Sequence, residues 1–311
     1  LLAPLEADAA VLAPRGTAKG IAVKIDGNAR HTFHHPNRGG KLAVCEAARN
    51  VACAGAVPVA ATDGLNFGNP QLPHVYWQFD ECVRGIAEAA EALETPVVSG
   101  NVSFYNQSEL GEVLPTPLIG VLGVLESPDL ATPSSSLTPG QKILMIEVPI
   151  EPEQGGLGAS LLAAAVHGIE DGYPEEPNWA GEHALGRLIP ALRKAGAISC
   201  AHDLSDGGSA VALAEMAIQS GLGIDASRFG GTASDLYGEF PGRVLVGVVD
   251  PESLGQLVIE AGLGLRYIGE VTEEPLLRIG AQAWPVSELR SAYEGSIPSA
   301  MGEEASATDR M

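Results

Sequence analysis

The sequence predicts an α/β (α+β) protein built of two mixed units in series, and three observations carry that expectation. Short β-branched runs alternate with stretches of helical periodicity through the first 125 residues. A proline- and serine-rich stretch then breaks regular structure at 126–141, and mixed strand and helix patterning resumes beyond it. A chain of 311 residues suits two domains with sizeable cores. We expect an N-terminal unit over residues 1–130, a C-terminal unit over 140–302 and a short tail at 303–311.

Taken in order, alternation and β-branching predict a strand from Gly20 to Ile25, closed by the turn-rich Asp26-Gly27-Asn28. His34 and His35 fall in a loop. From Lys41 to Cys53 apolar residues recur at three- and four-residue steps, which predicts a helix. The strand Val57 to Thr62 runs into a loop beginning at Asp63, a second helix covers Phe79 to Leu93, Pro96 to Ser99 ends a strand, and Leu118 to Leu125 forms another. Pro128, Pro133, Pro139, Ser134, Ser135, Ser136 and Gly140 mark the break between units. Beyond it we expect strands at Lys142–Val148, Arg243–Val249 and Tyr267–Val271, helices at Leu157–Val166, Ala184–Ala195 and Ser209–Gln219, and a frayed end from Gly295 to Met311.

Composition narrows the partners. Eighteen Lys and Arg stand against 39 Asp and Glu, a formal charge of −21, and so acidic a surface repels phosphate backbones and anionic bilayers alike. Nucleic acid and membrane are therefore excluded as expected partners. With 45% hydrophobic and 18% charged residues the chain reads as globular. No window holds the ~18 consecutive apolar residues of a membrane span. Cys45, Cys53, Cys82 and Cys200 form no Cys-x-x-Cys pair and no zinc-ligand spacing, so buried reduced thiols and a cytoplasmic location are expected. Leu1 follows no Met, and Leu1 to Pro14 reads as the continuation of an earlier segment.

Three stretches gather small and polar residues at strand ends, where α/β folds place ligands. In Asp63-Gly64-Leu65-Asn66-Phe67-Gly68-Asn69-Pro70 a carboxylate at a strand end suits Mg²⁺ or a ribose hydroxyl, while glycines let backbone amides approach an anion. A tight turn that satisfies itself uses the same residues. Ser99-Gly100-Asn101-Val102-Ser103-Phe104-Tyr105-Asn106 offers hydroxyl, amide oxygen and bare backbone to a phosphate and its hydrated metal, or makes a plain bend. In His202-Asp203-Leu204-Ser205-Asp206-Gly207-Gly208, glycines ahead of a helix expose amides to an anion, unless Asp206 or Ser209 caps that helix. Gly155-Gly156-Leu157-Gly158 is a weaker signal of the same kind. Arg15, Lys19, Lys24, Arg30, Arg38, Lys41 and Arg49, seven cations before residue 50, either focus small anions or pair with another acidic surface.

In that order Asp26-Gly27-Asn28-Ala29-Arg30, Glu46-Ala47-Ala48-Arg49-Asn50, Thr62 to Pro70, Ser99 to Asn106, Pro115-Thr116-Pro117-Leu118-Ile119-Gly120 and His202 to Gly208 resemble the phosphoribosylformylglycinamidine synthase family, the large ATP-using subunit, from about Ala9 to Gly302. The resemblance is to its second half. It implies an aminoimidazole-ribonucleotide-synthetase-like N-terminal domain followed by a C-terminal α/β domain. It further implies ATP-dependent amidation of formylglycinamide ribonucleotide with ammonia in purine biosynthesis: ATP phosphorylates the amide oxygen and ammonia displaces phosphate.

Carried over by position, Asp63 and Gly100 contact the nucleotide, Asn101 is a magnesium ligand and Ser103 touches the substrate. Glu46, Asn50 and Asp203 resemble metal-holding residues of a second, non-catalytic nucleotide site in larger members. The implied partners are a first repeat paired edge to edge with this one, a glutaminase subunit that releases ammonia and a small accessory subunit. The family's catalytic histidines belong to the first repeat, which His34-His35-Pro36-Asn37 only superficially echoes, so the isolated chain is expected to be inactive. The rival readings are a small-molecule kinase of the same superfamily and a non-catalytic nucleotide-binding module. Asn66 to Pro70 and Pro115-Thr116-Pro117 favour the synthase.

Overall fold

A computed structural model describes residues 7–109 and 111–302; the expected tail at 303–311 lies outside the described residues. Two sheets organise them. In the first, β1 (Ala10–Leu12), β2 (Gly20–Asp26), β7 (Thr116–Leu125), β3 (Val57–Asn66) and β4 (Val97–Ser103) lie side by side in that order, with β3 and β4 parallel and the other pairs antiparallel. Along β7 the buried Ile119, Val121 and Leu125 alternate with the exposed Leu118 and Leu122, so one face meets a core and the other lies open. The covered face packs on α2 (Pro36–Cys53) and α3 (Pro73–Ala92), which continue a short α1 (Ala29–His34).

Fifteen of the eighteen residues of α2 are buried, because the helix serves both units. It contributes Val44, Ala47 and Val51 to the first core, and Ala52 and Cys53 to a second. Where α2 crosses α3, a Cβ at Gly40 would strike the Cys82 carbonyl and one at Gly85 the Asn37 carbonyl, so close approach explains both glycines.

The second sheet runs β14 (Gln282–Pro285), β13 (Leu276–Ile279), β10 (Gly223–Ala226), β12 (Gly264–Thr272), β8 (Lys142–Glu147), β11 (Arg243–Val248), β9 (Ile198–Asp203). Its faces are covered by α4 (Trp179–Lys194) and α7 (Pro251–Glu260) on one side, and by α5 (Gly208–Ser220) with α8 (Val286–Ala300) on the other. The remaining elements are a two-stranded β5–β6 pair (Gln107–Ser108, Gly111–Glu112) and a short α6 (Ala233–Tyr237). All four cysteines are buried free thiols. Among the described residues no helix is long and apolar enough to cross a membrane.

Several local expectations are corrected. Strand β3 does not stop at Thr62 but continues through Asp63 to Asn66, and β4 absorbs Ser99 to Ser103, because each finds a ladder partner in the other. The helix expected over Leu157–Val166 shrinks to one π-helical turn at Leu162–Val166, since Gly155, Gly156 and Ala159 adopt positive φ. His34 and His35 are not in a loop: the first ends α1, and the second caps α2 by accepting the Arg38 amide at 3.3 Å. Neither Asp206 nor Ser209 caps α5; Gly207, at φ 78°, holds that place without a side chain. The frayed end expected from Gly295 is helical to Ala300.

Candidate functional site

Asp63 and Gly100 are register partners across the parallel β3–β4 pair, as are Thr62 with Ser99, Gly64 with Asn101 and Asn66 with Ser103. The buried Ala61 and Leu65 flank Asp63, which turns its carboxyl to the helix-covered side, near Cys82 of α3. There it lies against Gly100, where an added Cβ would collide with Asp63 Oδ1. Burial pushes the Asp63 carboxyl above the usual range, and the Asn101 amide it accepts from pulls it back. Strand alternation turns Asn101 and Ser103 to the opposite, open face, shared with Thr62 and Ser99, whose hydroxyls are 2.6 Å apart. Ser103 Oγ lies 3.2 Å from Asn106 Oδ1, and Asn106 Nδ2 donates to the Phe67 and Ser103 carbonyls, locking the end of β4 to the loop after β3.

The four expected site residues thus share one sheet edge but two of its faces. Between them they offer hard oxygens from a carboxylate, an amide and a hydroxyl, together with bare backbone at Gly100. On the open face the Asn101 amide and Ser103 hydroxyl oxygens are of the kind that suit a hydrated magnesium, while the Asp63 carboxylate and Gly100 stand on the covered one.

The stretches around Glu46, Asn50 and Asp203 meet elsewhere, at the junction of the two units. Arg49 is 4% exposed and donates to Asp203 at 2.7 Å and to Glu182 at 3.0 Å, while Asn50 Nδ2 donates to Asp26 at 3.1 Å and to the Glu46 carbonyl at 2.9 Å. Burial pushes the Asp203 carboxyl up to about 6 despite the guanidinium beside it. Burial also drives the Glu46 carboxyl well up, reinforced by Asp26 and Asp203. Two of the three groups expected to hold an auxiliary metal are therefore engaged within the chain.

The early cations follow the same pattern. Lys24 meets Asp26, Arg30 meets Asp206 and Glu239, Arg38 meets Glu153 and Glu176, and Lys41 meets Glu88 and Glu176. With Arg49, five of the seven are paired, mostly to acids of the second unit, which favours the pairing alternative over the focusing of free anions. His202 does the same in reverse, with Nδ1 2.7 Å from Asp8 and Nε2 3.0 Å from Glu215. His31, Asp206 and Glu239 bring ligand atoms within 4.8 Å of one another, but Arg30 already bridges the two carboxylates at 3.2 and 3.4 Å.

Sequence reasoning missed two glutamates that answer its glycine-rich stretches. Glu175, 1% exposed, accepts the amides of Glu153, Gln154 and Gly156 at 2.7, 2.8 and 2.8 Å. Glu239 accepts those of Leu161 and Gly207 at 2.7 and 3.0 Å. Neither lies near its glycines in sequence, so no local signal marks it.

Comparison with known proteins bears on the fold and the family. Residues 6–125 match AIR synthase related protein, N-terminal domain, and residues 138–282 match AIR synthase related protein, C-terminal domain. The chain is 40% identical over 319 aligned residues to phosphoribosylformylglycinamidine synthase subunit PurL of Deinococcus radiodurans, covering 97% of this chain and 42% of the relative. The fold resembles that of Thermotoga maritima PurL complexed with FGAR at a TM-score of 0.72 and 21% identity, over 92% of this chain and 46% of the other. It also resembles a chain of a HypE–HypF complex at 0.63 and 20%, over 90% and 92%. The chain spans about two-fifths of the length of the curated relatives it matches. With both units matched, the chain belongs to the AIR synthase related family, and along nearly its whole length it is similar, at about 40% identity, to phosphoribosylformylglycinamidine synthase subunits.

Proposed function

We propose that this chain supplies the second-repeat share of a site that amidates formylglycinamide ribonucleotide with ammonia at the expense of ATP, in purine biosynthesis. The observation that carries the reading is the juxtaposition of Asp63 with Gly100 and the Asn101 amide at the edge of the first sheet. The family resemblance gives these positions to nucleotide and magnesium, and relatives of known name align over nearly the whole chain.

In this reading Asp63 and the bare backbone of Gly100 hold the nucleotide, Asn101 offers its amide oxygen to Mg²⁺, and Ser103 orients the substrate. A magnesium ion held by Asn101 would supply positive charge to the phosphates. The chain's own part is positioning: the β3–β4 ladder fixes Asp63 against Gly100, and Asn106 fixes the strand end that carries Ser103. The family resemblance gives the proton-transfer histidines to a first repeat, paired edge to edge with this one. Ammonia comes from a glutaminase subunit, with a small accessory subunit in the complex. The two units correspond to domains at 1–130 and 140–302.

The test uses the full-length protein, assayed for turnover with ATP, magnesium, ammonium and formylglycinamide ribonucleotide. Asn101→Ala and Asp63→Ala are expected to lower turnover by on the order of a hundred- to a thousandfold, as loss of a charge-stabilising contact does, while thermal midpoints stay close to wild type. Midpoints that collapse while the residual folded protein keeps normal specific activity would reject the site.

A further inference from the structure

We propose that Arg30, His31 and the backbone amides of Leu161 and Gly207 form a cradle for a phosphate-class oxyanion, and that Glu239 fills it from within the chain. Four donors from three separate stretches converge on one carboxylate. Leu161 and Gly207 donate to Oε1 at 2.7 and 3.0 Å; His31 Nε2 and Arg30 Nη2 lie 3.2 and 3.4 Å from Oε2. The side chain of Glu239 is 4% exposed and that of His31 8%. Backbone amides beside a cationic fork and an imidazole are the donor types that bind oxyanions, because they supply directed N–H groups and positive charge without needing to reorganise.

A second observation is independent of these bonds. A cavity of about 20 Å³, large enough for a water, lies beside the carboxylate and is lined by His31, Glu46, Arg49, Asp206 and Glu239 among others. His31 is buried there with Nδ1 unpartnered. A carboxylate brings two oxygens to this place, whereas a tetrahedral anion brings four, one for each of the four donors. Asp206, which shares Arg30 at 3.2 Å, and Glu46 on the cavity wall are set against the site, which favours a compact anion over a polyphosphate.

The neighbouring glycine turn uses the same device. Glu175 plugs the amides of Glu153, Gln154 and Gly156, but with no cation beside them. Of these two, it is the Glu239 cradle that joins amides to cationic side chains, so it is the one that retains affinity once emptied. This proposal does not rest on the function proposed above, and its test measures no turnover.

The experiment compares thermal unfolding of the chain and of Glu239→Ala across a titration of sodium phosphate, with chloride holding ionic strength constant. Glu239→Ala is expected to gain stability saturably, by about elevenfold in its folding constant at ten times the half-saturating concentration, while wild type responds only weakly. The double variant Arg30→Ala, Glu239→Ala should lose the response. Glu239→Gln, whose amide still fills the cradle, should resemble wild type. An identical response in Glu239→Ala and wild type, or a full response in Glu239→Gln or in the double variant, overturns the proposal. Should Glu239→Ala fail to fold in chloride, recovery of folded protein by refolding in phosphate supports the cradle, and failure in both salts overturns it.

Discussion

The Asp63 carboxylate lies against the α-carbon of Gly100, its register partner on the neighbouring parallel strand, in the space a Cβ would take. A glycine is needed there for room, since Gly100 is not among the positive-φ residues and its backbone would accept any side chain. Asp63 is in turn kept on the helix-covered side by Ala61 and Leu65, so neither partner is free to move away alone.

Gly100→Ala should therefore act through Asp63. We expect it to displace the carboxylate and reduce turnover of the full-length protein about as much as Asp63→Ala does, with the double variant no worse than either single one. A double-variant cycle on turnover checks this. Fully additive losses would mean that the two residues act separately.

How far the sequence foretold this arrangement differs from element to element. The two-unit α/β architecture was legible because strand alternation and helix periodicity are local, and so were the cores of β7 and α2. Asp63 and Gly100 were legible as candidates from residue type alone. Their pairing was not: both stretches read as loops because Gly, Asn and Asp disfavour strands, and only the long-range β3–β4 ladder overrides that preference. Glu175, Glu182 and Glu239 were invisible for a stronger reason. Each answers donors between 19 and 209 residues away, separations at which no spacing rule operates.

Arg49 is the most buried of the cations that join the two units. Arg49→Met would leave Asp203 and Glu182 buried without their guanidinium, a loss of about 3–5 kcal/mol. The loss should depend on pH. Asp203 already has a folded pKa of about 6, above the ~3.9 of an unfolded chain, and without Arg49 it rises further. A carboxyl raised on folding contributes stability at low pH that disappears as pH climbs through the folded value. Denaturant unfolding at pH 5 and pH 8 should show the larger penalty at pH 8. Equal penalties would mean that packing of the Arg49 stem dominates.

His202 titrates in the opposite chemical sense but with the same sign. Burial opposes its charge, yet Asp8 and Glu215 hold its pKa well above the ordinary value. The stability this provides is complete below the unfolded value of ~6.5 and is lost as pH rises through the folded one. His202→Gln should cost roughly 1.5–3 kcal/mol near pH 6, the range for hydrogen bonds to charged groups, and progressively less toward pH 9. A penalty constant between those limits would show that the ring is held neutral.

The last prediction concerns the open side of the first sheet. From the pairing of repeats in the family, Lys19–Ile25 and Val57–Thr62 are expected in one sheet with an exposed edge; β2 and β3 do share a sheet, lying inside it, with β1 and β4 at its edges. Strand β4 is unpaired on one side and presents Val97, Val98 and Val102 at 40%, 71% and 47% exposure. Apolar edge strands of this kind pair with other chains, and lysine placed on them suppresses it. The isolated chain should therefore self-associate at micromolar concentration, and Val98→Lys should shift it toward monomer without lowering its thermal midpoint, because Val98 packs against nothing in the core. Sedimentation velocity of both proteins over a concentration series decides the matter. A wild-type chain that stays monomeric throughout would mean that the edge is protected by its own twist rather than by a partner.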